Sequence, residues 1–292
     1  MELVSAVIIT HNRLDLLKKA IGSVFKQTYK KMECIVVDDA SSDGTYQAVR
    51  DLQEQYDIEY IYISPQESKG ANYARNIGWQ RAKGSYVAFL DDDDEWFENK
   101  IEKQMSLASN ETPIVYCGRT IERNFSRRRS ESQSRVLLCG DLHKEILIRS
   151  ICVSSTILMK KEILQEIGGF DENINFWQDY ELCMRAFQGR NVAVVKEDLV
   201  LYRENISDRA RKTNNVVDWE KSVQYIQKKH AVLFGKLKND ELARQSFYIC
   251  WDGILRARNC KNIYYFLKYF YLIMRMKDTR RIFWGKVMKK IR

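Results

Sequence analysis

An α/β fold is what the sequence predicts: a parallel sheet with helices on both faces, followed by a helical C-terminal extension. Three observations predict it. Strand-like and helix-like segments alternate over the first ninety or so residues. The strand-like segments are short apolar runs without polar alternation, as in strands buried on both faces. Polar clusters follow directly on the strands, the arrangement of βαβ units whose strand ends share one edge.

Ser5 to Thr10 (SAVIIT) predicts the first strand, and His11-Asn12-Arg13 a loop. Leu14 to Phe25 has helical spacing, with Leu14, Leu17, Ile21 and Val24 (or Phe25) on one face. Met32 to Val37 predicts a second strand ending in Asp38-Asp39. Ser41, Ser42 and Asp43 offer N-cap chemistry for a helix from Thr45 to about Gln55. Of these carboxylates, Asp43 reads as a cap and Asp39 as a candidate ligand contact. Ile58 to Ile63 is the third strand, and Gly70 to Ala82 a helix entered through a glycine. Tyr86 to Leu90, the fourth strand, stops at Asp91, Asp92, Asp93 and Asp94. Like charges in a row repel, so the run is either a solvated turn or the seat of a cation. In open α/β sheets the carboxyl edge is where ligands bind. Asp39 and the Asp91–Asp94 run, with Arg13 and Arg75, therefore predict a nucleotide and metal site there.

Beyond this point regularity falls. Phe97 to Ser109 predicts a helix, Pro113 to Cys117 a strand, and Arg127 to Ser134 an exposed mobile loop. Ser154 to Met159 reads as a strand, and Lys161 to Ile167 as a helix stopped by Gly168-Gly169. Asp179 to Gln188 reads as an amphipathic helix with Asp179 in its first turn, where the helix dipole favours a carboxylate. Val192 to Val195 and Leu199 to Tyr202 read as two strands leading to Arg203. Asn215 to Lys229 and Asp240 to Arg258 read as helices. Ile263 to Met274 is apolar and aromatic except for Lys268, and too short for the roughly twenty residues that span a bilayer.

Charge is uneven. Residues 1–120 carry 14 Lys/Arg against 19 Asp/Glu, residues 121–204 carry 13 of each, and residues 205–292 carry 21 against 7. The basic end, interleaved with Ile282, Phe283, Trp284 and Val287, suits an interfacial helix on an anionic leaflet. A helical hairpin with one packed apolar face and a solvated basic face fits equally well. Seven scattered cysteines without a CxxC predict reduced thiols, neither a disulfide framework nor a zinc site. The N-terminus lacks the tripartite pattern of a secretory signal. No RNA- or DNA-binding motif accompanies the positive charge, so nucleic acid is not expected as a partner. Nucleotidyl transfer would call for a glycine-rich basic loop where HNRLD stands.

In this order VIITHNR, VVDDASSDGT, GANYARNIGWQRAKGSYVAFLDDDDEW, GGFDE and FWQDYELCMRAF resemble the family 2 glycosyltransferases of the GT-A fold, over residues 3 to about 207. The resemblance implies a Rossmann-like nucleotide-binding sheet in a catalytic domain of residues 1–207, with a donor half to about 118 and an acceptor half from about 119. Residues 208–292 form the extension. It implies an inverting transfer from a nucleotide-diphosphate sugar, UDP-sugar favoured, to a glycan or lipid-linked acceptor in surface polysaccharide synthesis. A divalent Mn2+ or Mg2+ and a cytoplasmic protein peripheral to the inner membrane face go with that reading. By position, Thr10, His11 and Arg13 would line the nucleoside pocket, His11 standing where the family often has Tyr. Asp39 would contact base or ribose, and Arg75 the base or diphosphate. Asp91 and Asp93 fit the DxD pattern, Asp93 as metal ligand and Asp91 as donor contact and second ligand. Asp92 would adjoin the donor, and register alone leaves Asp92 and Asp94 open as ligands. Asp179 would be the general base, preceded by Gln178 where the family has Glu. Arg203 and Ser207 would belong to the segment closing on the diphosphate, and Trp177 and Gln178 would face the acceptor.

Overall fold

Apolar runs such as those of Ser5–Thr10 and Tyr86–Leu90, without polar alternation, need cover on both faces. The computed structural model, which describes residues 1–123, 131–132, 137–204 and 215–291, provides it. Strands β1 (Val4–Thr10), β2 (Met32–Asp39), β3 (Ile58–Ile63) and β4 (Tyr86–Asp91) pair in parallel in the order β3-β2-β1-β4. Helices α1 (Leu14–Phe25), α2 (Thr45–Gln53) and α3 (Ala71–Arg81) connect them. Alternate residues of β1 serve opposite layers. Val4, Ala6 and Ile8 pack with Leu17, Ala20 and Ile21 of α1. Val7 faces α3 at Gly78, where a Cβ would come within 2.3 Å of Val7 Cγ1.

After β4 come β5 (Glu95–Trp96), α4 (Lys100–Met105), β6 (Ile114–Arg123), β7 (Glu131–Ser132), β8 (Gly140–Asp141), α5 (Glu145–Ile148), β9 (Ile157–Lys160), α6 (Lys161–Ile167), α7 (Gln178–Ala186) and β10 (Asn191–Glu204). The sheet continues β4-β9-β6-β10-β5, with β9 antiparallel to both of its neighbours. It is therefore mixed, with its parallel character confined to β1–β4 and the β6–β10 pair.

Several expectations are corrected here. The helix expected over Phe97–Ser109 is limited to α4, because Phe97 N–H donates to Leu199 O at 3.0 Å and extends the β5–β10 pairing. The two strands expected around Val192–Tyr202 are one strand, irregular in register between Val195, Asp198 and Leu201. Glu131–Ser132, expected within a mobile loop, pairs with Thr120 and Ile121; the rest of residues 124–136 and residues 205–214, Ser207 included, lie outside the described residues. Ser154–Thr156 is a short 3-10 turn before β9.

The chain divides into two compact units: Met1–Leu142 with Ile151–Asn173 and Gln178–Asn205, and His143–Ser150 with Ile174–Trp177 and Ile206–Arg292. The second unit holds α8 (Val216–Lys229), α9 (Ala231–Phe234), α10 (Asn239–Asn259), α11 (Ile263–Arg275) and α12 (Lys277–Ile291). Its core gathers Trp219, Phe247, Ile254, Tyr269 and Ile273. Lys268, the one charge of α11 before its terminal Arg275, reaches Glu220 of α8 at 2.7 Å, so the basic residue closes the packed side of the helix. All seven cysteines are free thiols, and Cys152 and Cys183 lie with sulfurs 3.6 Å apart.

Candidate active site

The chain leaves β1 toward β2 on one side and returns to β4 on the other. That reversal opens a crevice beyond the carboxyl ends of β1 and β4, the usual ligand position in such sheets. The β1 end supplies Thr10, His11 and Arg13, and the β4 end supplies Asp91 to Asp94.

The four carboxylates sit on a tight turn closed by Asp94 N–H donating to Asp91 O at 3.0 Å. A turn fans its side chains, so they do different work. Asp92 points inward, accepting from Thr10 Oγ1 at 2.8 Å and from Arg13 at 3.1 Å. Arg13 also meets Asp93 at 3.1 Å, and Arg75 meets Asp91 at 2.7 Å. Asp94 is fully buried, where Ser155 Oγ and Arg203 N–H donate to it at 2.6 and 3.1 Å. Burial pushes Asp92 up to about 6, against the pull of Arg13. Burial, with the neighbouring Asp93 and Asp91, holds Asp94 well above the ordinary carboxylate range. Oxygens of Asp91, Asp93 and Asp94 fall within 4.8 Å of one another. Three convergent carboxylate oxygens, two of them on partly exposed residues, fit a hard divalent cation. The raised pKa values of Asp92 and Asp94, due first to burial and then to the neighbouring carboxylates, mark charge that Arg13 does not fully offset. Of the two residues that register left open, Asp94 converges with Asp91 and Asp93, while Asp92 is tied to Thr10 and Arg13. Thr10 and Arg13 themselves hold the turn.

The loops after β1 and β2 lock together. Ser41 Oγ accepts from Asn12 N–H, and Ser42 N–H donates to Asn12 Oδ1, at 2.8 and 2.7 Å. The serines therefore do not cap α2, contrary to expectation. Asp43 takes that part, accepting from Thr45 N–H and Oγ1 and from Leu14 N–H. Burial opposes its ionisation, but those bonds outweigh it and lower its pKa. Asp38 is also internal, accepting from Ser41 N–H and the Tyr60 hydroxyl. Asp39 differs: its Oδ1 is buried with no hydrogen-bond partner among the described residues, and the next residue, Ala40, has φ of 63°. A buried acceptor without a donor costs about 1–3 kcal/mol, so this oxygen is chemically suited to accept from a bound donor group. His11 is exposed beside it, its Nδ1 2.5 Å from Asp39 O.

Arg75, on α3, is braced by one motif distant in sequence. Asn72 and Asn76 donate to Asp171 O and Phe170 O at 2.7 and 2.9 Å, and the Arg75 guanidinium lies 5.3 Å over the Phe170 ring. GGFDE therefore docks on the polar side of α3 and presses Arg75 toward Asp91. Gly169 makes the dock possible: its φ is +70°, and a Cβ would meet Trp79 Nε1 at 2.4 Å. Gly169→Ala is expected to destabilise the protein by about 1–3 kcal/mol in urea unfolding and to lower donor affinity by freeing Arg75.

Asp179 lies in the first turn of α7, half-buried, with Oδ1 accepting from Tyr180 N–H at 2.9 Å. Burial raises its pKa, the Asp91 charge adds to that, and Tyr180 N–H, Arg75 and Arg119 oppose it. The site thus brings Asp179 into electrostatic reach of Asp91 and Arg75. Arg119 is the residue that sequence patterns missed. It stacks 4.6 Å from the Tyr202 ring centre, and its buried Nε has no hydrogen-bond partner among the described residues. One arginine in a strand carries no periodic or motif signal. Ser155 was equally silent. Arg203 is committed to Glu122 at 2.9 Å, to Glu95, and to Asp93 O at 3.3 Å, so contact with a diphosphate would require it to leave two carboxylates. Gln178 is half-buried as the first residue of α7. Trp177 belongs to the second unit, at φ 60°, its indole N–H donating to Asp252 and its ring meeting Trp219 edge-on.

Comparison with known proteins fits this geometry. The sequence model of glycosyl transferase family 2 matches residues 5–168. An uncharacterised glycosyltransferase of Rickettsia prowazekii is 26% identical over 87% of this chain and 82% of its own length. A UDP-Glc:alpha-D-GlcNAc-diphosphoundecaprenol beta-1,3-glucosyltransferase of Escherichia coli is 38% identical, over 43% of this chain and about half (49%) of that protein. Among solved structures, a mannosyltransferase of Pyrobaculum calidifontis in complex with GDP-Man and Mn2+ superposes with a TM-score of 0.59 at 20% identity, covering 96% of this chain and 82% of that one. At that identity the likeness is one of fold. With a mixed sheet of this order and an acidic turn at its switch point, the chain belongs to glycosyl transferase family 2 and is a glycosyltransferase of the GT-A fold.

Proposed function

We propose that this glycosyltransferase moves a sugar from a nucleotide-diphosphate sugar, preferentially a UDP-sugar, to a hydroxyl of a glycan or lipid-linked acceptor, with inversion, at the inner face of a bacterial membrane. The observation that carries the reading is the pairing of two carboxylate environments in one unit. Asp91, Asp93 and Asp94 converge on a point, and Asp179 stands apart from them with a raised pKa. A UDP donor and a lipid-linked acceptor are named for the Escherichia coli relative, and a GDP-sugar with Mn2+ for the Pyrobaculum neighbour.

Asp91, Asp93 and Asp94 would hold the cation, Mn2+ or Mg2+. When bound, it supplies Lewis-acid neutralisation of the departing diphosphate. Arg13 and Arg75 hold the carboxylates in register. Asp39, with its unpartnered Oδ1, takes a donor hydroxyl or base N–H, and His11 offers an imidazole face beside it. Asp179 Oδ1 is fixed by Tyr180 N–H, which leaves Oδ2 to accept the proton of the attacking hydroxyl. One base and a single displacement give inversion at the anomeric carbon.

The test is a panel of UDP-, GDP- and dTDP-sugars with and without EDTA, read by nucleoside diphosphate release and by the anomeric configuration of the product. Metal-dependent UDP release with inversion is the expected result. Pyrophosphate release or a retained configuration would overturn the reading.

A further inference from the structure

α11 is apolar around most of its circumference, yet it is a surface helix. At 100° per residue, Tyr265, Tyr269, Leu272 and Ile273 fall on one side, and Tyr269 packs on Gly253 of α10, where a Cβ would lie 2.5 Å from the ring. The other side carries Ile263, Tyr264, Leu267, Phe270 and Tyr271 over an arc of about 120°. Ile263, Tyr264, Leu267 and Tyr271, with Trp284 of α12, are 52–75% exposed. Seven of the fifteen large hydrophobic residues exposed among the described residues fall between 263 and 284, so this is a patch and not scatter. Aromatic contacts make it continuous across two helices: Phe270 meets Phe283 at 6.0 Å, and Phe283 meets Trp284 at 5.3 Å. Arg275, Lys277, Arg280 and Arg281 rim it, all exposed, with Asp278 the one exposed acid of that stretch.

We infer that this face of α11 and α12 docks on an anionic lipid leaflet, with α11 lying in the plane of the interface. No helix among the described residues is long and apolar enough to cross a membrane, so the attachment is monotopic. Tyr and Trp, which have an apolar body and a polar tip, suit the headgroup boundary, and the arginines meet lipid phosphates. The charge of the rim selects this occupant over a second copy of the chain. An isologous dimer would set each basic rim against its own image, with too few exposed carboxylates to pair. The inference rests on the membrane-face reading above and supplies the surface for it.

The experiment uses the full chain in flotation with phosphatidylcholine vesicles with or without 30% phosphatidylglycerol, about a third of the lipid being anionic. Wild type is expected to float with the anionic vesicles. Leu267→Ser with Trp284→Ser is expected to weaken flotation about tenfold or more, and Arg280→Glu with Arg281→Glu to remove the preference for anionic lipid. UDP release to water or a water-soluble acceptor is expected to be unchanged in both variants, with unaltered circular dichroism and thermal melts, so membrane attachment and the transfer chemistry fail or hold separately. Flotation unchanged in both variants would overturn the inference. So would a monomer–dimer shift on sedimentation in the Leu267/Trp284 variant without lipid binding, which assigns the face to a second copy.

Discussion

Asp179→Asn is expected to lower kcat about 10²–10⁴-fold, the contribution of a positioned general base, while donor affinity measured by nucleotide titration stays within about twofold, since no binding contact is removed. The substitution keeps the shape of the side chain, and an amide Oδ1 still accepts from Tyr180 N–H, as the carboxylate does at 2.9 Å. Only the capacity to take a proton is lost. Stability separates this from misfolding. The pKa of Asp179 is raised in the fold by burial first, so the fold disfavours its ionised form. Wild type therefore loses stability relative to the Asn variant as pH rises from the unfolded carboxylate value near 3.9 through the raised native value. At neutral pH the variant is expected to melt at the same temperature or higher. Full activity in a folded Asp179→Asn protein would remove Asp179 from the chemistry.

The same electrostatics set the pH profile. A base works ionised, so a raised pKa moves the acid limb of kcat/KM upward from the ordinary carboxylate range. Arg119 favours the ionised form. Arg119→Gln is expected to move that limb to still higher pH and leave the alkaline side in place. An arginine that only packs on Tyr202 would change stability but not the limb.

The parallel half of the fold was legible because burial on two faces leaves a signature in the sequence. SAVIIT or YVAFL can sit only between layers, and α1 after the first of them carries a clear apolar face. The mixed half was not. Nothing in Ile157–Lys160 announces antiparallel pairing, and β10 reads as two strands because polar Lys196-Glu197 interrupts it where the register slips against β6. At the site, the acidic run was legible as a run, but its division of labour was not. Which carboxylates converge depends on the turn closed by Asp94 N–H and on partners 60 or more residues away, Thr10 for Asp92 and Ser155 for Asp94. Arg119 and Ser155 lay outside any pattern, since position along a strand says nothing of which charge lies across it. Conversely, Asp39 was separable from Asp38 and Asp43 only in part by sequence; hydrogen bonds distinguish them, two satisfied internally and one with an orphan oxygen.

Removing divalent metal is expected to abolish transfer, and which carboxylates matter is the sharper part of that result. Mn2+ or Mg2+ at about 100 times its dissociation constant is expected to stabilise the wild type by about 2.7 kcal/mol, as for any ligand of the native state. Asp93→Asn and Asp94→Asn are each expected to remove most of that gain, because both contribute oxygens to the convergent set. Asp92→Asn is expected to keep it, since Asp92 faces Thr10 and Arg13. Protons compete with the cation. The metal-free native state holds Asp92 up to about 6 and Asp94 above the ordinary range, burial leading in both. Each therefore favours folding when protonated, a contribution that is complete below the unfolded value near 3.9 and is lost as pH rises through the native one. The metal-free protein should thus weaken between pH 4 and about 7, and added metal should reverse that trend most strongly at the upper end. Thermal melts with EDTA and with Mn2+ at several pH values measure both slopes. A metal effect that is independent of pH, or equal across the Asp92, Asp93 and Asp94 variants, would place the cation elsewhere.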